Sequence, residues 1–247
     1  MLVGPRDHSA GDRLRAPRAL GVSRARFAVV LLAGLSAGLG HEASAEDPAP
    51  GAGALADLGK KIFFDASLSA SGRMACATCH DPSHAYGPPD GKAVRDGGKD
   101  LRTPGTRAVP SLRYTLNRTP VWSHEYQANP IERLTEVESV PTGGFGWDGR
   151  FNSLHEQAAA PLLAPNEMAN ADAAAVVAKL ARATYATEFR AAFGPDALED
   201  ADVAFRDALL AIERFELEDA SFHPYTSKFD AYLDGKTKLT PGEARGL

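Results

Sequence analysis

The chain has 247 residues, with 27 Lys and Arg against 32 Asp and Glu and a formal net charge of −5 at pH 7. That acidity withholds the basic patch a nucleic-acid partner requires. Two cysteines are too few for a disulfide scaffold.

Residues 1–45 do not read as a folded domain. Arg6, Arg13, Arg15, Arg18, Arg24 and Arg26 precede an apolar run from Phe27 to Gly40, and small residues at 43–45 are followed by Glu46 and Asp47. A basic stretch, a short apolar stretch and a small-residue cut site describe a secretory signal peptide, cleaved after Ala45. As a helix, the apolar run would rise about 21 Å, short of the ~30 Å hydrocarbon core, so it is not a stable membrane span. No consecutive arginine pair stands just ahead of it, which favours ordinary unfolded export over the twin-arginine route. The expected location is the periplasm. Cleavage removes six Arg with Asp7, Asp12 and Glu42, leaving 21 basic and 29 acidic residues, a net of −8. The remaining residues suffice for one large or two small domains.

Residues 46–53, Glu46 and Asp47 followed by Pro, Ala and Gly only, read as a flexible lead-in. Leu55, Leu58, Ile62 and Phe63 then recur at helical intervals, so a helix runs towards "CATCH" at 76–80. Four chemistries compete for that motif. A disulfide between Cys76 and Cys79 would close a tiny loop and stabilise little. A thioredoxin-like pair should follow a strand in a βαβ unit, which the pattern lacks. Zinc could take Cys76, Cys79 and His84, but a structural site wants four ligands and there is no second cysteine pair. Haem c fits best: two thiols at this spacing reach the two vinyl groups of one porphyrin, and the imidazole of His80 becomes the proximal iron ligand. Haem c is attached outside the cytoplasm, in keeping with the signal peptide.

From Asp81 to Gly146 Gly and Pro punctuate the sequence and neither helical nor strand period persists. A loop region that long lines a functional site or wraps a cofactor. Helices resume at Ser153, where Ser153 and Glu156 have capping-box spacing. An Ala-rich stretch follows and closes on Gly194. In the next segment Phe205, Leu209 and Ile212 share one face, with Ala208 and Phe215 beside them. Thr240, Pro241 and Glu243 give a strong helix start close to the end of the sequence. No strand-like alternation of useful length occurs, so the expected class is all-α with long ordered loops.

What fills the sixth position on iron separates a carrier from a catalyst. The candidates are Met74, Met168, His84, His124, His155 and His223. His84 is tethered four residues from His80 and is a poor one. The Gly-rich loop offers no histidine between Ala85 and Trp122, which favours an open site.

Several stretches together resemble the bacterial di-haem cytochrome c peroxidase and MauG family: "LGKKIFFDASLSASGRMACATCHDP", "RAVPSLRY", "GGFGWDGRFNSLHEQAAAPLLAPNEMAN" and "LTPGEARGL". The resemblance runs from about Leu58 to the end. It implies two cooperating cytochrome c-like haem domains. The N-terminal haem meets hydrogen peroxide, and the C-terminal haem receives electrons from a small periplasmic donor, a cytochrome c or a cupredoxin. By the same resemblance Trp147 lies between the haems, Glu167 is the acid/base group, and Gln157 and Pro161 lie on the peroxide side. Residues 54–195 would form the peroxidatic haem domain, and 196–247 the connecting helices and the start of a second haem domain. The family's second C-x-x-C-H normally follows a segment like "LTPGEARGL", so the sequence reads as the peroxidatic half of a di-haem enzyme with one covalent haem.

Three departures qualify the resemblance. The loop near Val94 to Gly98 has no histidine to cap the iron, which favours an always-accessible site, as in MauG. A long loop from Asn117 to Pro141 precedes W-D-G-R and suits a substrate or partner surface. Ala108 stands where the family often has an asparagine of an interdomain calcium site, which leaves calcium in doubt. The expected function is reduction of hydrogen peroxide to water. The alternatives are MauG-like oxidation of a protein side chain and a mono-haem electron carrier with Met168 on iron. A homodimer is compatible with each.

Overall fold

Placement of the helices follows from where the sequence lets backbones touch. The computed structural model describes residues 52–114, 119–123 and 142–247, and the described residues fall within one compact unit, Asp47–Leu247. The expected signal peptide, His124 and most of the loop from Asn117 to Pro141 lie outside the described residues. Eight helices are described: α1 (Ala52–Phe64), α2 (Cys76–Cys79), α3 (Leu154–Leu163), α4 (Ala173–Leu180), α5 (Ala186–Phe193), α6 (Ala201–Glu218), α7 (Lys228–Leu233) and α8 (Pro241–Gly246).

Helices α1 and α6 form the centre. A Cβ added to Gly59 would lie 1.8 Å from the carbonyl oxygen of Ala211, so the two backbones meet where neither carries a bulky side chain. Around that crossing Leu58, Ile62 and Phe63 of α1 pack with Ala208, Ile212 and Phe215 of α6, all at most 2 % exposed. Helices α3 and α4 pack on the other flanks of α6. Burial of this apolar stripe, at roughly 25 cal/mol per Å², is the main force behind the arrangement. An aromatic cluster extends it. Phe63 meets Phe215 edge-on at 5.4 Å, and Tyr86 stacks on Phe222 at 3.9 Å.

Three details refine the sequence reading. The fold is mostly helical, yet Asp96–Gly97 (β1) and Thr103–Pro104 (β2) pair antiparallel, with Asp96 opposite Pro104. The Ala-rich stretch is two helices, because Tyr185 between them turns inward, 6 % exposed, and donates its hydroxyl to Asp65 Oδ2 at 2.6 Å. At the start of α3 the Ser153 hydroxyl accepts from the Glu156 N–H as expected, but the Glu156 carboxylate accepts from the Asn152 N–H, one residue short of a reciprocal box. The Thr240–Glu243 box on α8 is reciprocal. Among the described residues no helix is long and apolar enough to cross a membrane.

Candidate active site

Helix α2 is a single turn. The Thr78 hydroxyl accepts from the Ala75 N–H at 2.9 Å, and the His80 N–H donates to the Cys76 carbonyl at 2.9 Å. That turn puts Cys76 and Cys79 three residues apart on neighbouring positions of one face. Both thiols are free and half-buried. Burial pushes Cys76 up to about 12, and the negative charges of Glu216, Cys79 and Glu167 add to it. Burial raises Cys79 too, although Arg95 pulls the other way. Redox and zinc cysteines are stabilised as thiolates, and this environment does the opposite.

The next residue is held from the aromatic cluster. His80 Nδ1 lies 2.9 Å from the carbonyl oxygen of Tyr86. A carbonyl only accepts, so Nδ1 carries the proton and Nε2 keeps its lone pair. Burial lowers the His80 pKa, with the carbonyls of Tyr86 and Pro110 opposing, and the ring is neutral as a metal ligand must be. Tyr86 presents that carbonyl from the left-handed region (φ 56°), fixed by a ring 2 % exposed and a hydroxyl 2.6 Å from Ser221 Oγ.

His80, Cys79, Gln157, Pro161, Glu167 and Trp147 line one cavity of about 360 Å³. A smaller void of about 60 Å³ adjoins it, lined by Cys76 with Met74, Met168 and Glu216. Six of the seven residues singled out in the sequence therefore line one cavity, and the seventh, Cys76, lines the void beside it. Its size lies within the usual range for small-molecule sites. Two free thiols one turn apart, beside a neutral imidazole with an available Nε2, match the donor set of haem c.

Glu167 sits on the loop after α3. Its carbonyl accepts from the Gly98 N–H at 2.8 Å, and that of Met168 accepts from the Ala70 N–H at 2.8 Å. Gly97 makes room, since a Cβ there would lie 2.3 Å from the carbonyl oxygen of Asn166. Asn170, 4 % exposed, ties the loop down by donating to the Leu68 and Leu162 carbonyls at 2.9 and 2.8 Å. Lys179 Nζ donates to Asn170 Oδ1 and to the Ser69 carbonyl. The Glu167 side chain is exposed, opening onto the cavity, yet the surrounding protein raises its pKa by desolvation, against a smaller pull from Arg150.

The rim is looser. Trp147 is 63 % exposed and donates its Nε1–H to the Ala108 carbonyl at 2.7 Å. Asp148 pairs with Arg107 and Arg150 at 2.9 and 3.1 Å. Ala108, the residue that leaves calcium in doubt, is thus engaged through its carbonyl. Among the described sixth-ligand candidates, Met74 and Met168 line the cavities, His84 is exposed beside Asp81, and His155 pairs with Glu213.

The profile of the di-haem cytochrome c peroxidase family matches residues 53–238. The chain belongs to that family. It is similar to methylamine utilization protein MauG of Paracoccus denitrificans, 37% identical over 207 residues, covering 82% of this chain and 50% of that protein. Cytochrome c551 peroxidase of Nitrosomonas europaea is 32% identical over 193 residues, covering 78% and 47%. Among solved structures, the diheme peroxidase BthA of Burkholderia thailandensis superposes with a TM-score of 0.66 at 36% identity, covering 78% of this chain and 45% of that one. The chain spans about half the length of the curated relatives it matches.

For this member of the di-haem peroxidase family, two residues of the site escaped the sequence reading. Glu216 is 5 % exposed and lines both cavities, and Arg95, which donates to the Thr78 carbonyl, lines the larger. Glu216 was visible as an anomaly: it continues the apolar stripe of Phe205, Leu209 and Ile212 at the next helical step. Arg95 gave no such signal, lying in a loop without periodicity.

Proposed function

We propose that Cys76 and Cys79 hold one haem c by thioether bonds, with His80 Nε2 as the proximal iron ligand, and that the site reduces hydrogen peroxide to water. Haem bound there supplies an iron that binds peroxide and exchanges electrons with it. His80 stays neutral and oriented through the Tyr86 carbonyl. Glu167 takes a proton from the inner oxygen of peroxide and returns it to the outer oxygen; its raised pKa suits a group that must both accept and donate near neutral pH. Gln157 and Pro161, on α3, shape the wall beside it. Trp147 lines the rim of the cavity, and the family resemblance gives it the role of an electron relay. The electrons come from a small periplasmic carrier through a second haem, which two cysteines cannot attach in addition to the first. The N-terminal signal pattern supports export to the periplasm. Membership of the family supports the cofactor class.

The observation that carries this reading is the convergence of His80, Cys79, Glu167, Gln157 and Pro161 on one cavity. Glu167→Gln in the haem-loaded protein keeps the shape and removes the proton carrier. Peroxide consumption should fall by about 100- to 10,000-fold with haem content unchanged; unchanged consumption would return Glu167 to an ordinary cavity-edge charge. A carrier reading is favoured by one observation, the burial of Met168 at 3 % exposure beside Cys76 and His80. The ferric optical spectrum separates the two, being six-coordinate and low-spin for a methionine-ligated carrier and high-spin for an open site. Oxidation of a protein side chain, the other fate of the oxidising equivalents, is supported by the likeness to MauG and would show as turnover that needs a protein substrate.

A further inference from the structure

Reduction of hydrogen peroxide to two waters consumes two protons along with two electrons, so a site reading of that kind leaves a question of proton supply. Helix α6 answers it. Glu216 is 5 % exposed, lines both the cavity and its smaller neighbour, and its carboxyl group makes no hydrogen bond or ion pair with the described residues. A buried carboxyl without a partner is costly, and a leucine at that helical step would continue the apolar stripe. One turn back on the same helix, Glu213 has a side chain 20 % exposed. Residues three apart on a helix are surface neighbours, about 5–6 Å between Cβ atoms. The Glu213 carboxylate accepts from the His155 backbone N–H at 2.9 Å and lies 2.8 Å from His155 Nδ1. His155 itself is 36 % exposed.

These three groups run from solvent to the cavity in order of falling exposure. Among the described residues, the charged groups beside them are engaged or belong to the cavity itself. Lys60 of α1 is taken by Asp219, Arg214 by Glu218, and the cysteines of α2 and Glu167 already belong to the cavity. Burial, with the charge of Glu213 behind it, pushes Glu216 up to about 8, so its carboxyl is an acid with a proton to give at neutral pH.

We propose that His155, Glu213 and Glu216 form a proton-uptake path into the cavity, resting on the peroxide reading above for its use. Each proton released by the Glu216 O–H is replaced from Glu213, and Glu213 is recharged from solvent through His155. The balance is H2O2 with two electrons, from the reduced carrier, and two protons, through the path, giving two waters. The three side chains end each cycle as they began.

The test uses the haem-loaded full chain and two readouts. In infrared spectra, the C=O band of a protonated carboxyl that disappears in Glu216→Gln is the band of Glu216. On mixing into heavy water, its deuterium shift should be slowed at least about tenfold by Glu213→Gln, which keeps the side chain's shape and alters no residue of the apolar core. This reading needs no turnover, so it judges the path even if the protein proves not to reduce peroxide. During peroxide reduction with reduced carrier in excess, which supplies both electrons, proton uptake followed with an indicator dye should slow at least about tenfold in Glu216→Gln at unchanged haem content. The double variant should be no slower than the slower single one, as expected for groups acting in series. No protonated Glu216 band, or exchange and uptake at the wild-type rate in the variants, would overturn the path. Absence of peroxide reduction in the wild type would instead overturn the peroxide reading.

Discussion

The two sides of the cavity are built on different principles. The inner wall is short-range and buried. One helical turn sets the two thiols, and a stacked Tyr86–Phe222 pair fixes the carbonyl that orients His80. The rim, from Gly143 to Arg150, is long-range and open. Gly143, Gly144, Gly146 and Gly149 all have positive φ, and Gly144 could carry no Cβ, since one would lie 2.0 Å from the Gly149 carbonyl oxygen. Its charges, Asp148 and Arg150, are exposed. The contrast teaches that groups needing a fixed orientation sit on the core, while the exposed rim is carried on glycine-permitted turns.

Breaking the inner wall should have the largest effect. Cys76→Ser with Cys79→Ser removes both thioether sulfurs, and covalent haem should vanish entirely on a denaturing gel stained for haem. Next comes Tyr86→Ala, which empties a site 2 % exposed and loosens the carbonyl behind His80. Chemical unfolding should show a loss of about 3–5 kcal/mol. Tyr86→Phe sharpens the point: it keeps the stack, gives up only the hydroxyl contact to Ser221, and should cost about 1 kcal/mol. The rim should be forgiving. Asp148→Asn breaks pairs to Arg107 and Arg150 that are exposed and screened, and neither the unfolding midpoint nor the haem content should move measurably. A large loss there would mean that the rim, too, is held by its polar contacts.

The same contrast explains what the sequence disclosed. The inner wall was legible because its chemistry is contiguous: C-x-x-C-H names its ligands within five residues. The apolar stripe of α6 and the Thr240–Glu243 box were legible for the same reason, being local patterns of fixed period. The break at Tyr185 was not, because it depends on a hydroxyl reaching Asp65, 120 residues away in sequence. Tyr86 and Arg95 matter through tertiary placement alone. Trp147, Gln157, Pro161 and Glu167 entered through resemblance to a family, and composition would have left each an ordinary residue. Their convergence on one cavity is a property of the fold.

The central claim is that Cys76 and Cys79 carry a haem on the inner wall, and one measurement addresses it directly. Trypsin cuts after Arg73 and Lys92, so the protein should yield the peptide Met74–Lys92 with both thiols and His80 in it. Mass spectrometry should find that peptide heavier by one haem, joined through both cysteines. The same peptide with two unmodified thiols, or with a disulfide between them, would contradict the account.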